Sequence, residues 1–221
     1  MNKNIYCTLD TETFGGATNP KGVYHLAGII HDKQGNILAS FNYLIEEHYE
    51  EINKDEYAKK NFKKYLDMII DGIVTGIATE KEAIKAVDNL CNFFKVKYMM
   101  AFNSGFDFSK TICRELIKER EFIDIWLMAI QTIAQTKKYT TFCRENNYKT
   151  KNGSVSTKAE TVYRFLINNT NYVEEHTAFE DSKIEMEIFK ACNRTHKKYT
   201  KNCHAFNLKE KNIPKIADAL V

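Results

Sequence analysis

The apolar positions of the chain follow two regimes. Up to residue 45 they recur with a period of two. Ile5, Cys7 and Leu9 alternate with Tyr6, Thr8 and Asp10, a spacing that sends successive side chains to opposite faces of an extended segment. Residues 5–12 therefore read as a first strand. Gly15-Gly16 and Asn19-Pro20-Lys21-Gly22 break the chain into a loop before a second strand over 23–31. Lys33-Gln34-Gly35-Asn36 is a turn before a third strand over 37–45. The three together predict an antiparallel meander.

Beyond residue 56 the spacing turns helical. Residues 57–70 carry Phe62, Tyr65, Leu66 and Ile69, and Thr79-Glu80-Lys81-Glu82 reads as a helix start ahead of Ile84, Val87, Leu90, Cys91 and Phe94. Residues 98–102 form a short, continuous apolar strand of the kind buried at a sheet centre. A helix is predicted over 108–119 with Ile112, Leu116 and Ile117 inward, then a fifth strand over 122–125 and a helix running on through Ile133. Further helices are predicted over 156–167, over 177–192, and over 213–221 after Pro214. Three strands followed by strands interleaved with helices predict an α/β fold, a mixed five-stranded sheet flanked by helices.

Length and composition narrow this further. A chain of 221 residues with 43% apolar residues suits one α/β domain, with or without a short appendage. The only prolines are Pro20 and Pro214, so no Pro-rich linker divides it. The expected division is a domain over 1–193 and a basic tail over 194–221. The amino terminus lacks the features of a secretory signal. The most apolar stretch, 123–130, contains Asp124 and is far shorter than the roughly 20 residues of a membrane helix. The expectation is a soluble, cytoplasmic protein without a membrane partner.

The six cysteines are scattered, and free thiols are expected. Cys192, His196, Cys203 and His204 hold zinc-ligating groups, but their spacing fits no common finger, and a basic helix end and tail with neighbouring Cys and His is the favoured account. The net charge of +3 is unevenly spread. Residues 137–164 hold seven basic and two acidic side chains, and residues 190–221 hold eight and two. Such clustering is either the footprint of a phosphate backbone or a set of solvated helix faces.

Three acidic motifs carry the candidate chemistry. Asp10 and Glu12 sit two apart on the first strand, so both carboxylates share a face. Each raises the other's pKa unless a cation lies between them, and hard divalent cations prefer oxygen ligands. A solvated strand end is the alternative. Asp107 closes the segment Phe102-Asn103-Ser104-Gly105-Phe106-Asp107 between a buried strand and a helix, where α/β proteins place ligands; helix capping is the alternative. In His176-Thr177-Ala178-Phe179-Glu180-Asp181, Thr177 and Glu180 form a capping-box pattern. A helix starting there leaves His176 on the preceding loop and Asp181 in its first turns, so both can point at one site.

In order, D-x-E, N-x-x-F-D and H-x4-D resemble the motifs of the DnaQ-like (DEDDh) 3′–5′ exonucleases of the ribonuclease H-like superfamily. The likeness in spacing extends over about residues 5–193, and the stretch 140–167 is more similar to small phage or bacterial exonucleases. The resemblance implies a ribonuclease H-like fold and two Mg²⁺ or Mn²⁺ ions on Asp10, Glu12, Asp107 and Asp181. It also implies His176 as general base, and contacts to the terminal nucleotide from Thr11, Thr13, Phe14, Asn103 and Phe106. Phe14 and Phe106 are candidates for stacking on bases, with core packing as the alternative. The expected substrate is single-stranded DNA, with RNA the first alternative and a non-catalytic nucleic-acid- or partner-binding module the second. A polymerase or other replication protein is a candidate partner.

Overall fold

A computed structural model describes residues 4–15, 22–52, 54, 56–72, 74–194 and 213–216. The predicted meander is formed by β1 (Ile5–Phe14), β2 (Gly22–Asp32) and β3 (Ile37–Ile45). β1 pairs antiparallel with β2, from Ile5 opposite Asp32 to Phe14 opposite Gly22, and β2 pairs antiparallel with β3. The chain then runs through α1 (Tyr49–Ile52) and α2 (Glu56–Ile70) to a short strand, β4 (Gly76–Ala78). α3 (Glu80–Phe93) follows behind a Thr79 capping box whose two reciprocal bonds are both made. β5 (Tyr98–Ala101), α4 (Asp107–Lys110) and β6 (Glu121–Asp124) come next. The remaining helices are α5 (Ile125–Ala129), α6 (Lys137–Glu145), α7 (Ala159–Ile167) and α8 (Ala178–Arg194).

The strands make one mixed sheet in the order β4-β3-β2-β1-β5-β6. It has six strands where the sequence pattern predicts five. The extra one, β4, spans three residues and runs parallel to β3 at the sheet edge, too short for a periodic signal. β1 is central, antiparallel to β2 and parallel to β5. Its period of two now has two partners. Tyr6 joins a core shared with α5, α6, α7 and α8, through Tyr139, Val162, Ile184 and Phe189. Cys7 and Leu9 join the opposite core, with Val87, Cys91 and Leu116. Helices therefore cover both faces, which is why β2 is buried along almost its whole length instead of alternating. Where β2 passes behind β1, Gly28 is required. A Cβ there would lie 2.5 Å from the Phe41 ring and 2.7 Å from the Thr8 carbonyl.

Several predicted helices differ. The one expected over 108–119 is broken at Thr111, which is extended (φ −116°, ψ 175°). Its hydroxyl donates to the Asp107 carbonyl at 2.6 Å and accepts the Cys113 N–H at 3.1 Å. Side-chain bonds of this kind compete with the helical ladder, and a 3₁₀ segment, Ile112–Ile117, follows. The helix expected through Ile133 becomes a π-turn at Ile130–Ala134. α6 was not marked by the sequence pattern. In α2 the described inward side chains are Tyr65 and Met68, while Ile69 is 40% exposed. The segment predicted as a helix over 213–221 is not helical over 213–216. There Lys215 bridges Ser154, and the Pro214 carbonyl accepts the Val155 N–H at 3.0 Å. Residues 217–221 lie outside the described residues.

Candidate metal centre

Asp10 and Glu12 emerge on the α8 side of β1. The strand pairing shifts register between Glu12 and Thr13, so that Glu12 faces His25 and Thr13 faces Val23. Such a bulge re-aims side chains at the end of a strand. The Tyr24 hydroxyl donates to Glu12 Oε2 at 3.4 Å. From α8 comes Asp181. One carboxylate oxygen from each of Asp10, Glu12 and Asp181 lies within 4.8 Å of the other two, and all three residues are half-buried. Asp107 stands behind this triad, 2% exposed. Thr11, on β1, donates its hydroxyl to Asp107 Oδ1 at 2.6 Å. The capping alternative for Asp107 does not apply, because α4 begins at Asp107 itself and makes no side-chain cap.

The start of α8 explains how His176 and Asp181 reach the same place. Thr177 Oγ1 accepts the Glu180 N–H at 3.3 Å, so the helix begins where the capping pattern predicts. His176 precedes it in a left-handed conformation (φ 55°), which few non-glycine residues adopt. Its side chain is half exposed, with Nδ1 3.6 Å from Glu174 Oε2. The Lys64 ammonium of α2 donates to the Glu175 carbonyl and ties this loop down.

The electrostatics fit a cation. Burial first, and the neighbouring Glu174 second, push Asp10 up to about 7. Burial and then Asp10 push Glu12 up to about 8. Burial and then Asp10 push Asp181 up to about 10. Asp107 is raised well above the carboxylate range, again by burial and then by Asp10. Carboxylates shift this way when desolvated beside like charges. Asp181 Oδ1 is buried without a hydrogen-bond partner, a costly state that a bound ion relieves. The donors are all carboxylate oxygens, the set that Mg²⁺ and Mn²⁺ prefer. The residues present therefore fit a hard divalent cation.

Three groups here escaped the sequence reading. Glu185 lies four residues after Asp181, one helical turn along α8. It is 3% exposed and accepts the Phe102 N–H at 3.1 Å. Burial and then Asp10 raise it well above its usual range. The one-turn spacing was readable. Glu174, raised to about 7 by burial and then by Glu160, arrives on an irregular loop, and Lys64 arrives from a distant helix; neither carried a signal. The residues expected to touch substrate are spread. Thr13 lines a cleft of about 220 Å³ with Lys110 and Arg114. Phe106 is half-buried and Asn103 is exposed with φ 65°. Phe14 is only 5% exposed and packs with Tyr24, Tyr65 and Met68, so its ring serves the core. Cys192 is buried in the α8-side core, and His196, Cys203 and His204 lie outside the described residues. No described helix is long and apolar enough to cross a membrane.

No protein-family model and no curated protein sequence matches the chain. Solved structures do. A full-length 3′-exonuclease is similar with a TM-score of 0.54 at 16% identity, over 92% of this chain and 85% of the other. Cell-death related nuclease 4 (CRN-4) gives 0.53 at 12% identity, over 88% and 65%. E. coli Exonuclease I in complex with a dA16 oligonucleotide gives 0.50 at 16%, over 88% of this chain but 41% of the larger protein. At these identities the likeness establishes the architecture: this chain has the α/β, ribonuclease H-like fold of those nucleases.

Proposed function

We infer that the protein is a divalent-metal-dependent 3′–5′ exonuclease that removes nucleoside 5′-monophosphates from single-stranded DNA. The observation that carries this reading is the convergence of Asp10, Glu12 and Asp181 from two elements, with an unpartnered Asp181 oxygen, beside the His176 loop. Asp10, Glu12, Asp107 and Asp181 would hold Mg²⁺ or Mn²⁺, which supplies Lewis-acid stabilisation of charge on a phosphate and on attacking and leaving oxygens.

The chain's own groups do the rest. His176 takes a proton from the attacking water as general base. The Glu174 carboxyl lies 3.6 Å from Nδ1, a position that favours a proton on that nitrogen when the carboxyl is charged and leaves Nε2 as the base. Water oxygen bonds to phosphorus, the bond to the 3′ oxygen breaks, and that oxygen takes up a proton from solvent. Thr11 orients Asp107, and Thr13 lines a cleft offered to the terminal nucleotide. Single-stranded DNA is favoured because Exonuclease I, which shares the fold, is seen with dA16 and dT13 oligonucleotides. All five chemical groups of the motif set are present in the sequence, which weighs against a purely binding module.

Product analysis tests this reading. Chromatography of a reaction on single-stranded DNA with Mg²⁺ is expected to yield deoxynucleoside 5′-monophosphates. Deoxynucleoside 3′-monophosphates, or short oligonucleotides alone, would refute it.

A further inference from the structure

A second concavity of about 290 Å³ opens beside Phe102 and Asn103, in the segment that leads to Asp107. It is lined by Phe102, Asn103, Trp126, Thr157, Lys149 and Lys158, among others. Its lining is mainly apolar, while Lys149 and Lys158 are both exposed. This volume is close to the ~300 Å³ lower bound for ligand pockets, room for one nucleotide unit rather than a duplex.

The walls are fixed in place. The Trp126 indole N–H donates to Thr157 Oγ1 at 2.9 Å. The Tyr139 hydroxyl donates to the Ser156 carbonyl at 2.6 Å. Lys149 and Val155 bridge across the turn between them, and that turn is held from behind by Pro214 and Lys215. A preformed groove loses little on binding.

Hydrogen bonds tie the walls of the groove to residues around the candidate metal centre. Phe102 donates its N–H to Glu185, beside the acidic cluster. Lys158 immediately precedes α7, and Glu160, two residues on, accepts the Glu174 N–H at 3.2 Å. Glu174 in turn adjoins His176. Both lysines belong to the basic segment 137–164, which the catalytic reading leaves unused.

We propose that this groove binds one nucleotide of the single strand 5′ to the cleavage site, its base against Trp126 and its flanking phosphates on Lys149 and Lys158. The inference rests on the nuclease reading for its direction along the strand. Its chemistry is that of any single-strand site, aromatic faces for bases beside cations for phosphates.

Trp126 is the only tryptophan in the chain, so its fluorescence reports the groove directly. The test titrates the 221-residue chain in EDTA, where no cleavage is expected, with oligothymidylate of about eight residues. Binding is followed in parallel by anisotropy of an end label. The expected result is quenching of Trp126 in step with binding. An abasic strand of equal length should bind with little quenching. In Lys149→Ala/Lys158→Ala, affinity should fall about tenfold, and the salt dependence should become shallower by about 1.4 in log–log slope, 0.7 for each lost phosphate contact.

Binding without quenching, equal quenching by the abasic strand, or unchanged affinity and slope in the double variant would each overturn the proposal. So would a poly-glutamate peptide that quenches as well as DNA, which would mark a surface for acidic protein. Because the titration needs no turnover, the outcomes separate. Groove binding without cleavage in Mg²⁺ would refute the exonuclease alone, and cleavage without groove binding would refute the groove alone.

Discussion

The backbone N–H of Ala178 donates to His25 Nδ1 at 3.3 Å, while the other ring nitrogen meets Asn42 Oδ1 at 2.6 Å. One buried imidazole thus joins β2 and β3 to the first residue of α8, between His176 and Asp181. Accepting at Nδ1 requires the neutral ring with its proton on Nε2. Burial keeps it neutral by pushing its pKa down to about 4.

His25→Ala is expected to remove the acceptor of the buried Ala178 N–H, at about 1–3 kcal/mol, along with one partner of the Asn42 side chain. Urea denaturation measures the loss. A second consequence concerns acid. Between pH 6.5 and 4 the unfolded chain binds a proton at this histidine and the native chain does not, so the stability it contributes falls as pH drops through that window. The full effect is about 3 kcal/mol. It should appear as the difference between the pH–stability curves of the wild type and His25→Gln.

The carboxylate cluster has the opposite sign. Asp10, Glu12 and Asp181 are raised to about 7, 8 and 10, so without metal the native state binds more protons than the unfolded chain above pH 4. Stability should therefore fall as pH rises from about 4 through 8 and beyond. Mg²⁺ or Mn²⁺ should reverse the trend by binding only the native state. Thermal melts at pH 5, 7 and 9, with and without metal, check this; a metal-induced increase in Tm that grows with pH is expected.

Asp181→Asn removes one charge from a site with an unpartnered oxygen. The metal-free variant should melt higher than wild type at pH 8, gain little from Mg²⁺, and show no measurable cleavage. Asp10→Asn should behave alike, since Asp10 raises each of its neighbours.

His176→Ala is expected to lower kcat by about 10²- to 10⁴-fold, the usual weight of a general base, while the metal-induced increase in Tm persists. Glu174→Gln, beside Nδ1, should lower kcat less and shift the acid limb of the kcat–pH profile downward. An unshifted limb would assign Glu174 to loop structure only.

Much of this site was legible because its spacings are local. A period of two put Asp10 and Glu12 on one face, and the Thr177 capping pattern placed His176 before the helix and Asp181 inside it. The same logic reached the Thr79 capping box and five strands. It failed where long-range packing decides. β4 is made by its pairing with β3 rather than by three residues of its own. Thr111 breaks a well-patterned helix because its hydroxyl bonds the Asp107 carbonyl. Phe14, next to the acidic motif, turns inward to Tyr24 and Tyr65. Lys64 meets the loop before α8, and Trp126 meets Thr157, only through tertiary contacts, and no sequence window contains those.

The most direct test of the central claim uses 5′-labelled single-stranded DNA and RNA of one sequence, incubated with Mg²⁺ or Mn²⁺ alongside an EDTA control and Asp10→Ala. A metal-dependent ladder shortening from the 3′ end of the DNA, slower on RNA and absent in the variant, is the expected result. A folded protein that leaves both strands intact with metal present, or an Asp10→Ala variant that cleaves at the wild-type rate, would contradict it.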